Sequence, residues 1–112
     1  MAIFFWKKNK VIDAFATKLA DEFYSAILPE VMNDYLKEVT GNKNKKPGKV
    51  KKTVDRKILE VSDEIKQFRA ANKLGVYGKA RLHLTFIDRL TELGYEPEVA
   101  KKINETILIK TP

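Results

Sequence analysis

His83 is the only histidine in the chain, and there is no cysteine. A zinc site built around one imidazole would have to draw on carboxylates, which zinc seldom uses alone. Thiolate nucleophiles, thiolate metal ligands and disulfides are excluded outright. His83 stands in Arg81-Leu82-His83-Leu84-Thr85 with no carboxylate beside it, so it is expected to be a partly exposed helical side chain. The acidic pairs Asp21-Glu22 and Asp63-Glu64, with Glu60 nearby, are interleaved with lysine and arginine. Such a pattern reads as a solvated, charge-balanced helix face rather than a proton-transfer dyad. No Walker phosphate loop, nucleophile elbow or calcium loop occurs. The sequence therefore predicts no catalytic residue, no metal, no cofactor and no enzymatic activity.

Positive charge is the chemistry that the chain does concentrate. Residues 41–52 hold six lysines and no acid, so they carry +6 of a formal +7 over 112 residues. Glycine, asparagine and proline in the same stretch discourage regular structure and mark a connector. Lys43, Lys45, Lys46, Lys49, Lys51 and Lys52 are candidate contacts for phosphate or for an acidic partner. Neutralising about four phosphates would give a salt slope near −3.6 on duplex DNA. With no aromatic residue among these lysines the segment lacks stacking platforms for single strands, and charge alone gives adhesion without a sequence code. A plain solvated linker is the other reading.

The elements that must position these residues are helical. Ile12, Phe15, Ala16, Leu19, Phe23, Ala26 and Ile27 recur at steps of three and four, which predicts an amphipathic helix over about residues 9–28 with Asn9 as N-cap. Pro29 interrupts it, and Met32, Tyr35, Leu36 and Val39 continue at helical spacing to near Gly41. After the connector, Val54, Ile58, Val61, Ile65 and Phe68 form a narrow seam on a helix over about 50–73, ended by Gly75. Ala80, Leu82, Leu84, Phe86, Ile87, Leu90 and Leu93 cover more than one stripe of a helix over about 77–93, which predicts the most buried element, ended by Gly94. Pro97 opens a last helix with Glu96 and Glu98 at its positive end, and Thr106–Ile109 is an alternative extended tail.

Two short patterns meet between the third and fourth helices. Ala71, Leu74, Gly75, Val76 and Leu84 are spaced as in the helix-turn-helix of bacterial repressors, which this segment resembles over about residues 67–84. The resemblance implies that Tyr77, Lys79 and Arg81 face a major groove while the lysine connector meets backbone phosphate. Arg81 stands where that pattern wants an apolar residue, and Gly78 weakens the start of a recognition helix. Gly75-Val76-Tyr77-Gly78-Lys79 is similar to the Gly-x-x-Gly clamp of KH domains, although the strands of that fold are not found. The plain alternative has Gly75 capping one helix, Gly78 packing closely and Tyr77 covering the corner.

At its start the chain reads Ile3-Phe4-Phe5-Trp6-Lys7-Lys8. Apolar residues precede the charge, the reverse of a secretory signal, and no run approaches the roughly 20 residues of a membrane span, so a cytoplasmic protein is expected. These residues either fold back onto the core or anchor a second subunit or a membrane surface. The sequence thus predicts a single all-α domain of four or five helices: an N-terminal helical pair, a basic loop at 41–52 and a C-terminal three-helix unit. Its expected role is an interaction module for an unknown protein or for itself, with Phe4, Phe5, Trp6 and Tyr77 as the candidate apolar interface. The alternative is a DNA- or RNA-binding protein using Lys43, Lys45, Lys46, Lys49, Lys51, Lys52, Lys79 and Arg81.

Overall fold

The apolar periodicity becomes five helices: α1 (Ala2–Ala26), α2 (Pro29–Gly41), α3 (Lys49–Asn72), α4 (Val76–Leu93) and α5 (Pro97–Lys110). The structure, a computed structural model, describes residues 2–41 and 48–110, with side chains over 8–37 and 48–110. The domain is all-α, and no strand occurs among the described residues. One helix limit differs from the sequence reading, and one open alternative is decided. Nothing between Ala2 and Ala26 is proline or glycine, so α1 runs through Asn9, which lies inside the helix and does not cap it. Thr106–Ile109, rich in β-branched residues, completes α5 instead of trailing as a strand, because Ile107 is fully buried on its core face.

Pro29 sets the break between α1 and α2. Its ring cannot be accommodated behind the carbonyl of Ser25, and it biases Leu28 away from helical angles. The chain restarts at once, with the Met32 amide donating to the Leu28 carbonyl at 3.0 Å. Both segments run antiparallel to α3. Phe15 of α1 stacks on Phe68 with ring centroids 3.9 Å apart, and the Tyr35 hydroxyl of α2 donates to Asp55 at 2.9 Å. Along the 24-residue α3, which is about 36 Å long, α1 and α2 thus lie one after the other. The two N-terminal helices do not form a self-contained pair: the chief partner of α1 is α4, and that of α2 is α3.

A constant register joins α1 to α4. Asp13 pairs with Arg81, Asp21 with Arg89, and the Tyr95 hydroxyl donates to the Ile27 carbonyl, each across 68 residues. A fixed difference in residue number means that the two helices run parallel. Small residues permit their close approach: Ala16 and Ala20 are fully buried, and a Cβ on Gly78 would lie 3.5 Å from Ile12 Cδ1. Between the helices sits one apolar core, whose largest fully buried side chains include Phe23, Phe86, Leu19, Ile58, Leu82 and Ile103.

The ends of α3 and α4 share one hydrogen-bond pattern. At α4 the Gly94 amide donates to Thr91 and the Tyr95 amide to Leu90, with Gly94 at φ 131°. At α3 the Lys73 amide donates to Ala70 and the Leu74 amide to Arg69. Both are Schellman ends, in which orphan carbonyls of the last turn are satisfied from beyond the helix. The left-handed residue closing α3 is Lys73, at φ 50° and ψ 51°, and not Gly75. Gly75 instead precedes α4 with extended angles, φ −86° and ψ −166°.

Candidate functional site

Helix α4 carries two apolar faces. Leu82, Phe86 and Leu90 are fully buried, while Val76 is 89 % exposed, Leu84 61 % and Tyr77 58 %. Ala80 is exposed between them. Val76, Ala80 and Leu84 are spaced by four, so they form one ridge along the helix, and Tyr77 lies beside it. The expectation that α4 is the most buried element therefore fails on this face. Leu84 alternates with Leu82 in sequence, and 200° of helical rotation separates the core position from a solvent position. At the N-terminal end of the ridge a shallow pocket of about 230 Å³ opens between Lys8, Asn9, Ile12 and residues 75–78.

Of the sequence-derived apolar candidates, Tyr77 thus lies on an exposed apolar face. Phe4, Phe5 and Trp6 lie outside the residues whose side chains are described, on the first turns of α1. Val76, Ala80 and Leu84 were missed. Their signal was a second set of apolar positions on α4, which the width of its hydrophobic pattern disguised as deeper burial.

Most charged side chains around this face are engaged within the fold. Arg81 grips Asp13 in a two-pronged pair, Nε to Oδ1 at 2.9 Å and Nη2 to Oδ2 at 2.8 Å, and Thr85 donates to the same carboxylate at 3.2 Å. The Arg81 hydrogen bonds hold the Asp13 carboxyl below its ordinary range. Arg89 likewise joins Asp21 at 2.8 Å and Glu92 at 3.1 Å. Arg81 is therefore a tie between α1 and α4 rather than a side chain presented to a groove.

A polar cluster interrupts the core between α3, α4 and α5. His83 is 7 % exposed, so the expected partly exposed histidine is in fact buried. Its Nδ1 lies 2.7 Å from Oδ1 of Asn104, itself buried on α5. An amide oxygen can only accept, so Nδ1 carries the proton and Nε2 is left as a lone pair. That Nε2 and the Nε of Arg69 are buried without a hydrogen-bond partner among the described residues. Burial lowers the His83 pKa; the Asn104 bond opposes this, and Lys79 and Arg69 reinforce it.

The candidate phosphate contacts divide between described and undescribed residues. Lys43, Lys45 and Lys46 lie outside the described residues. Lys49 and Lys52 are exposed in the first turn of α3, where no acid is present, and Lys51 pairs with Asp55 at 2.8 Å. Asp55 is shared with Tyr35, whose hydroxyl is pushed up to about 12 by burial and by that bond. Lys79 is half-buried beside His83. Among the described residues, Lys49, Lys51 and Lys52 stand on the first turn of α3, while Lys79 and Arg81 stand on α4.

The local geometry also departs from both short motifs. A helix-turn-helix buries the positions held by Ala71 and Leu84 in its corner, and here both are exposed. In a Gly-x-x-Gly clamp both glycines admit a strand, yet Gly78 is buried inside α4, where an added Cβ would meet Leu74 Cδ2 at 3.1 Å. The plain alternative is also only partly realised, since Gly78 packs closely while Lys73 ends α3.

No group of histidine and carboxylate side chains suited to a metal ion occurs among the described residues, and no helix there is long and apolar enough to cross a membrane. No protein-family model, curated protein or solved structure matches this chain.

Proposed function

We propose that this chain is a non-enzymatic helical interaction module that docks a protein through the exposed face of α4. The observation that carries the reading is the Val76–Ala80–Leu84 ridge with Tyr77, set on a helix that already fills the core with its opposite side. A stable fold gains nothing from an exposed valine, leucine and tyrosine on one face, whereas a docking surface needs them. The ion pairs on α1 and α4 support the same reading, because they hold that face on a fixed scaffold. Benzoylphenylalanine placed at Leu84 should form a covalent adduct in cells on irradiation, and the same group at exposed Lys66 of α3 should not. Equal labelling at both sites, or none at Leu84, would refute the proposal.

A second reading rests on Lys49 and Lys52 at the amino end of α3, where the helix dipole adds to their charge and no acid offsets it. It makes this end a weak contact for the phosphates of DNA or RNA. Replacing Lys49, Lys51 and Lys52 by glutamine should then lower binding to a labelled duplex and flatten its salt dependence. Unchanged anisotropy curves would remove the reading.

A further inference from the structure

We infer that the face of α4 binds a second copy of this chain, antiparallel across a two-fold axis at Ala80. The inference rests on the interaction reading above and names its partner. Three features lead to it. The ridge Val76–Ala80–Leu84 follows the spacing of four whose interdigitation gives the commonest class of helix crossing. Its central member is alanine, the one ridge residue whose side chain allows two helix backbones to approach closely. Centred there, a two-fold axis sets Val76 of one copy opposite Leu84 of the other, at the rim of the pocket formed by Lys8, Ile12, Val76 and Tyr77.

Charge complementarity supplies the direction. Exposed Lys73 precedes α4, and exposed Asp88 lies in its second half, four residues beyond Leu84. Two copies side by side in parallel would set lysine on lysine and acid on acid. The antiparallel arrangement places Lys73 of each copy near Asp88 of the other, and symmetry makes the pair twice. Helix α4 has 18 residues, so one helix face is about 27 Å long. With a helix width of about 10 Å, such a face covers roughly 270 Å², well below the ~800 Å² per partner of a stable complex, so the association is reversible and dependent on concentration.

The absence of cysteine makes the axis directly testable. Ala80→Cys introduces the sole thiol close to its own symmetry mate, and Ala70→Cys, exposed on α3, is the control. Under mild oxidation Ala80→Cys should reach the disulfide-linked dimer about tenfold faster than the control, because the interface raises its effective concentration. In sedimentation equilibrium the unmodified chain should show a monomer–dimer equilibrium. Leu84→Glu should abolish it, with the far-ultraviolet circular dichroism unchanged. Asp88→Lys should raise the dissociation constant about fivefold to tenfold, from two exposed ion pairs lost, and adding Lys73→Glu should restore it. A chain that stays monomeric at every concentration, or thiols that cross-link equally at both sites, would overturn the inference. The adduct at position 84 separates the two claims: a mass of twice the chain supports self-association. A different mass refutes self-association and keeps the interaction reading, and no adduct removes both.

Discussion

His83 on α4 donates a hydrogen bond from Nδ1 to Oδ1 of Asn104 on α5, 2.7 Å away and enclosed by the core. The bond fixes the neutral tautomer and leaves Nε2 buried, with Arg69 and Lys79 as the neighbouring charges. A proton added at Nε2 would place a third cation there, without solvent.

Acid should therefore loosen the bundle through His83. Its folded pKa lies below the unfolded value of about 6.5. Below that value the unfolded chain takes up a proton that the folded chain refuses, so stability is complete above about pH 6.5 and falls as the pH drops toward the folded value. Asp13 does not share this window. Its lowered pKa contributes stability that is full above the unfolded value of 3.8 and lost only as the pH falls through the folded one. The urea midpoint of the native chain should fall between pH 7.5 and pH 5, and His83→Gln, which can still bond Asn104, should flatten that fall. An equal loss in the variant would assign the effect to other groups.

The two Schellman ends should respond oppositely to glycine and alanine. Lys73 holds φ 50°, a conformation costing an L-residue about 1–2 kcal/mol. Lys73→Gly removes that cost and gives back about 0.5–1 kcal/mol as unfolded-state entropy, so a net gain of up to about 1.5 kcal/mol is expected. Gly94→Ala meets only Tyr24 Cε2 at 3.9 Å, so space is not at issue. Its backbone at φ 131° is nearly exclusive to glycine, and the change should cost about 1–3 kcal/mol. Chemical denaturation of the two variants decides the matter; a stabilised Gly94→Ala would show that the turn can relax.

Gly78 should accept one carbon and no more. A Cβ there would lie 3.1 Å from Leu74 Cδ2 and 3.3 Å from Leu74 Cβ. The Leu74 Cδ2 tip can shift, but its Cβ moves only with the backbone of the turn before α4, so this crowding roughly cancels the gain of about 1 kcal/mol in helix propensity. Gly78→Ala is expected within about 1 kcal/mol of the native chain, whereas Gly78→Leu should lose about 2–3 kcal/mol by forcing α1 from α4. Equal stability of the two in urea would mean that the helices are not in close contact at this position.

These contrasts show where the sequence was readable. The five helices follow from spacing because each turn repeats one apolar face, as Ile12, Ala16, Leu19 and Phe23 do. The left-handed residue did not follow, since glycine at position 75 is the better prior and only the hydrogen bonds of Lys73 and Leu74 reveal the choice. His83 looked exposed because its partner stands 21 residues away on another helix. Arg81 looked available because Asp13 is 68 residues away. Local pattern fixes elements, and long-range pairing decides which polar side chains remain for a partner.

Leu82 and Leu84 give the sharpest separation of core from surface. Leu82 is fully buried and Leu84 is 61 % exposed, two residues apart on one helix. Truncating Leu82 to alanine removes buried methyl groups and leaves a cavity, at a cost of about 2–5 kcal/mol. Leu84→Ala removes carbon that water already touches, and its effect on a dilute monomer should stay within about 0.5 kcal/mol. Urea titration at low protein concentration measures both. If Leu84 has a docking role, the same variant should lose adduct formation or self-association while keeping its unfolding midpoint. A large loss of stability from Leu84→Ala would instead return this residue to the core, and with it the broad apolar pattern of α4 that first suggested burial.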